Sequence, residues 1–145
     1  MNAIAKAIFM KKAPGIGTYG GNTGTVTDDF GESHTVAFQR VSVAYVTLTI
    51  RLTALAGFNA DTALPAIRQA IIDYMDTLAI GQDLVLPALH AICYSAEKNS
   101  TPTFAISQIL GLVSGGTATS GVIAATWKQR FSIPSASFIT ITVDN

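Results

Sequence analysis

The 145-residue chain carries one cysteine, Cys93, and equal numbers of basic and acidic side chains, nine of each. A lone thiol excludes an internal disulfide and cannot found a cysteine zinc site, and the charge balance points away from nucleic acid or an anionic membrane as partner. Charged residues make up only 12% of the chain, about half the usual fraction near 25%, as expected of a surface partly covered in an assembly.

No run approaches the length of apolar sequence that spans a bilayer, so no membrane segment is predicted. At the start, Met1 to Lys12, the basic pair Lys11-Lys12 follows the apolar part and Lys6 lies inside it. A secretory signal has the opposite order, so export is not expected. Residues 3–12 are predicted as a short helix with Ile4 and Ile8, extended to Met10, on one side; alone it is marginal, and it needs a surface to lie on. Pro14, Gly15 and Gly17 end it, and a glycine-rich run continues to Gly24. Thr25-Val26-Thr27 and Thr35-Val36-Ala37-Phe38 then flank Asp28-Asp29-Phe30-Gly31-Glu32, which reads as a hairpin with a longer loop.

From Ser42 to Leu52 the chain alternates. Ala44, Val46, Leu48, Ile50 and Leu52 are apolar, and Tyr45, Thr47, Thr49 and Arg51 lie between them. That period of two predicts a strand with one face in a core and the other outward, and one-sided burial favours an antiparallel sheet with an open face. The outward row Tyr45, Thr47, Thr49 and Arg51 is the candidate assembly interface, because Tyr and Arg present broad, weakly hydrated surfaces with directional hydrogen bonding. An ordinary solvated face is the alternative.

Beyond Gly57-Phe58-Asn59-Ala60 the period changes. Leu64, Ile67, Ile71, Met75 and Leu78 recur at helical spacing, with Arg68, Gln69, Asp73, Asp76 and Thr77 between them. Asp61 or Thr62 is the expected N-cap, Pro65 is placed in or beside the first turn, and Gly81 is the expected stop. Leu86, Leu89, Ile92 and Cys93 predict a second helix over 87–96, opened by Pro87. The predicted core is therefore Val46, Leu48, Ile50, Leu52, Leu64, Ile67, Ile71, Met75, Leu78, Leu89 and Ile92. Residues 97–102 read as a loop, 103–113 as a strand interrupted by Gly111, and 114–121 as a flexible loop. Residues 122–131, including Trp127, read as a strand ended by Pro134, and 138–143 as a β-branched alternating strand.

This order, with no repeated strand–helix alternation, predicts an α+β fold: an antiparallel sheet with two helices packed on one face, plus an N-terminal helix and hairpin. Residues 1–40 form that N-terminal part and 41–145 the α+β core, together one compact domain.

Several residues carry possible chemistry. Gly15-Ile16-Gly17-Thr18-Tyr19-Gly20 matches the dinucleotide fingerprint, but a predicted helix enters it and a hairpin leaves, the reverse of what pyrophosphate binding needs. His90 and Cys93, three apart on a helix, could pair as base and thiol, yet no residue is placed to orient the histidine and Cys93 shares the apolar stripe. Asp73 and Asp76 read as a solvated helix face, and Asp28, Asp29 and Glu32 as an acidic tip lacking the EF-hand spacing. Asn99-Ser100-Thr101 is a glycosylation sequon that would go unused without export. Trp127 is either a core filler or an exposed binding aromatic. No catalytic residue, cofactor or metal ligand is assigned.

A resemblance adds to these readings. Ile4-Ala5-Lys6-Ala7-Ile8, Lys12-Ala13-Pro14-Gly15-Ile16-Gly17-Thr18-Tyr19-Gly20, the turn from Thr25-Val26-Thr27-Asp28 to Gly31, and Val36-Ala37-Phe38-Gln39-Arg40 resemble the baseplate J-like wedge proteins of contractile-tailed phages, the Mu-type baseplate protein family. So does the strand ending at Leu52, with a helix running into Leu78-Ala79-Ile80-Gly81-Gln82-Asp83-Leu84 and a second helix before a loop and strand. The resemblance implies the C-terminal portion of such a protein: a non-enzymatic virion component of the tail baseplate, assembled in the bacterial host cytoplasm. Its implied partners are other baseplate proteins, with self-association, and neither nucleic acid nor membrane. The competing expectation is a small-ligand or enzymatic domain using the glycine-rich loop or His90 and Cys93.

Overall fold

In the computed structural model, which describes residues 2–97 and 101–144, the chain divides into two units, 1–41 and 42–145. In the first unit, helix α1 (Asn2–Lys11) packs on a hairpin of β1 (Asn22–Thr27) and β2 (Ser33–Phe38), antiparallel with Asn22 opposite Phe38 and Thr27 opposite Ser33. Its core is Ala5, Val26, Val36 and Phe38, with Ile8 and Phe9 packed against them. The buried stripe of α1 therefore runs through Ala5, Ile8 and Phe9, and not through Ile4, Ile8 and Met10 as the spacing predicts. Ile4 is 42% and Met10 74% exposed. The small side chain of Ala5 lets the helix backbone close onto the strands, and Phe9 then stacks on the His34 ring of β2 with centroids 4.8 Å apart.

The second unit is organised on β3 (Ser42–Ala54), whose burial alternates as its sequence does. Val46, Leu48, Ile50 and Leu52 are fully buried, while Tyr45, Thr47, Thr49 and Arg51 are exposed. Helix α2 (Ala60–Thr77) lays Ile67, Ile71 and Met75 on the buried row. After the two-residue strand β4 (Leu84–Val85), helix α3 (Ala88–Ser95) adds Leu89 and Cys93 to the same core. Strand β5 (Phe104–Val113) pairs antiparallel with β3. Then β6 (Val122–Ile123) pairs with β4, and β7 (Gln129–Ser132) and β8 (Ile139–Asp144) both pair with β3. The protein is thus an α+β fold, with α2 and α3 on the core face of a four-stranded sheet.

Several local expectations are corrected. The sheet is mixed: β7 and β8 run parallel to β3, beside Ser42–Tyr45 and Leu48–Thr53 respectively. One-sided burial diagnoses an open face, and that inference holds, but it does not fix strand direction in a mixed sheet. Between β7 and β8, Pro134 and a 3₁₀ turn at Ala136–Phe138 carry the chain out of the sheet and back onto the same edge.

Asn59, rather than Asp61 or Thr62, caps α2, its side-chain oxygen accepting from the Asp61 amide at 3.0 Å. With the helix starting at Ala60, Pro65 falls in the second turn and removes an intrahelical donor on an exposed face. The helix ends at Thr77 with Leu78 extended, and Gly81 (φ +77°) serves a following turn whose left-handed backbone favours glycine. Leu64 and Ile92 are half-buried at the margin of the core rather than inside it. Pro87 is the N-cap of α3 and not its first helical residue.

The expected 122–131 strand is two short strands in different sheets, separated by a turn that holds Trp127 68% exposed. Gly111 does not interrupt β5. It is buried, and a Cβ there would sit 2.9 Å from both Leu86 methyls, so glycine lets the strand pass close under the α3 entry.

Candidate interaction face

The outward row of β3 has neighbours on both sides whose positions follow from the register. Across from Thr47, Thr49 and Arg51 on β5 lie Leu112, Leu110 and Gln108. On the other edge Thr140 and Thr142 of β8 stand beside Thr49 and Arg51, and Ser132 of β7 stands beside Tyr45. Exposed apolar surface gathers at one end, with Val43 and Tyr45 each 51% and Leu112 38% exposed. The Tyr45 ring lies 6.2 Å from that of Phe138, tilted against it. At the other end Arg51 Nε is 3.9 Å from Asp144 Oδ2, and both side chains are about half exposed. An ion pair of that length and exposure contributes little to stability, so its arginine is free to exchange partners.

The alternation assigns Tyr45, Thr47, Thr49 and Arg51 to this face, and all four are exposed on it. Val43 follows the same odd-numbered row and was legible. Leu112 was not, because a bulge opposite Arg51 and Leu52 leaves Ser107 unpaired and reverses the phase of β5: Phe104 faces inward before it, Ile109 and Gly111 after it.

The remaining chemical candidates are not assembled. The Cys93 thiol is fully buried, and desolvation pushes it up to about 12. His90 directs Nδ1 to the Pro87 carbonyl oxygen at 3.1 Å. Glycines 15–20 lie between α1 and β1, so no helix N-terminus receives a phosphate. Asp73 accepts from Gln69 at 2.7 Å, and Asp76 lies 3.6 Å from Arg130.

Asp28 is engaged locally. Its carboxylate pairs with His34 Nε2 at 2.8 Å and accepts from the Glu32 and Phe30 amides at 2.9 Å each, contacts that hold it below the usual carboxylate range, the histidine bond foremost. Among the described residues no group of three His, Cys, Asp or Glu side chains could hold a metal, and no helix is long and apolar enough to cross a membrane. A cleft of about 290 Å³ is lined by Gly57, Asn59, Thr62, Glu97 and Thr103. Its polar groups are already spent: Asn59 caps α2, and Glu97 accepts from the Thr103 amide and hydroxyl. Asn99 of the sequon lies outside the described residues.

Comparison with known proteins found no matching family model and no matching curated protein.

Proposed function

We propose that this protein is a structural component that works through protein–protein contacts, with the bare face of its four-stranded sheet as the assembly surface. The observation that carries the reading is the asymmetry of the sheet: α2 and α3 cover one face, while the other presents Val43, Tyr45 and Leu112 beside a row of threonines. Exposed apolar and aromatic side chains set among neutral polar ones, with Arg130 beside Val43 and Arg51 at the far end, suit a protein partner better than a solvated surface. The setting we propose is the tail baseplate of a phage or prophage, on the strength of the resemblance in residues 4–8, 12–20, 36–40 and 78–84.

The test is co-expression with phage tail baseplate proteins, followed by affinity purification. The wild-type chain should retain one of them. Thr47→Glu with Arg51→Glu should lose it while melting at the wild-type temperature, because both positions are exposed. Undiminished retention by the double variant would remove this face from consideration.

A further inference from the structure

The first unit has an edge that the rest of its own fold leaves open. In the hairpin, the Ala37 amide of β2 points away from β1 and donates to Thr18 Oγ1 at 2.8 Å, so the segment leading into β1 covers the outer edge of β2. Ala37 lies opposite Thr23, and hydrogen-bonded and non-bonded pairs alternate along an antiparallel ladder. The outward-pointing main-chain groups of β1 are therefore those of Thr23, Thr25 and Thr27. Among the described residues none of these amides has a partner, and the strand Asn22–Thr27 contains no lysine, proline or other blunting device. A two-stranded sheet with a core of Ala5, Val26, Val36 and Phe38 is also one that further strands would stabilise.

We infer that β1 pairs antiparallel with β1 of a second copy of this chain about a two-fold axis at Thr25, giving a continuous sheet of order β2-β1-β1-β2. Four features favour a second copy over another strand. Thr25 meets itself and Thr23 meets Thr27, so all the outward groups are matched in roughly six main-chain hydrogen bonds. On the helix-covered face Val26 comes opposite Gly24 of the second copy, a large side chain against an empty position. The acidic tips, each with Asp28, Asp29 and Glu32, are carried to opposite ends of the joined strands, separated by about 20 Å. Each tip then lies at the end where Arg40 of the second copy emerges, so the charges are complementary.

Helix α1 fits the same axis. Phe9 stacks on His34 of β2, and Ile4, Ala7 and Ile8, flanked by Lys11 and Lys12, line a shallow groove. Helix α1 lies nearer β1 than β2, so the two-fold brings the equivalent stripe of the second copy towards it, with Ala7 permitting close approach. This interface lies in residues 1–41 and is independent of the proposed function of the sheet face.

Sedimentation velocity on the full chain at micromolar concentrations tests it. Wild type should sediment as a dimer in reversible exchange with monomer. Thr25→Pro removes an outward donor but no hairpin bond and should weaken dimerisation by at least about tenfold. Should that variant misfold, Thr25→Lys blunts the edge without touching the backbone and should have the same effect. Thr25→Cys should crosslink to itself on mild oxidation, since buried Cys93 does not compete, whereas Thr35→Cys on β2 should not. A monomeric wild type, or a dimer indifferent to both Thr25 substitutions and lacking the Thr25→Cys crosslink, would overturn the inference.

Discussion

Burial decides what the one thiol can do. Cys93 and His90 have the helical spacing of a dyad, and that spacing was readable. The surroundings that disarm it were not, because the thiol lies in a core built from distant parts of the chain, with α2 and β5 among the elements packed on α3. With the thiol pushed up to about 12 from its ordinary 9.0, almost no thiolate exists at neutral pH, and alkylation of the native protein should be slow and track unfolding. The sign for stability follows. Above the ordinary value the unfolded chain has released its proton while the folded chain keeps it, so stability falls as pH rises from about 9 towards about 12, by roughly 1.4 kcal/mol per pH unit inside that window. Urea titrations of wild type and Cys93→Ala across this range check it: the loss attributable to the thiol should vanish in the variant.

At the level of elements, one-period signals were legible and two-period ones were not. The strand at 42–54 and the stripe Ile67, Ile71, Met75 could be read because each face keeps one phase along its whole length. Strand β5 was legible as a strand over 103–113, but its two faces were not, because its bulge reverses the phase at Ser107, and neither was the parallel pairing of β7 and β8 with β3, which depends on a long connection. The first helix misled for a different reason: on a helix this short, Ala5 competes with Ile4 for the sheet, and the smaller residue approaches more closely. The helix stripe gives a direct prediction. Ile71 is fully buried and Asp73 exposed, so Ile71→Asp strands an unpaired charge and should cost more than about 3 kcal/mol, whereas Asp73→Ala should change the melting temperature little. Both are read by thermal denaturation, and similar melting of the two variants would mean the stripe is misassigned.

For the whole molecule, the sequence gives the α+β class and the open face, and the register adds what the face is made of: an apolar end at Val43, Tyr45 and Leu112 and a charged end at Arg51 and Asp144. Low charge, a bare sheet face and chemical groups already engaged within the fold all fit a protein that binds other proteins. The most direct measurement is hydroxyl-radical footprinting of the chain, free and bound to a co-purified protein partner. Tyr45 and Leu112 should oxidise readily in the free chain and be protected in the complex. Equal oxidation of both residues in the two states, with protection appearing elsewhere, would contradict the assignment of this face to assembly.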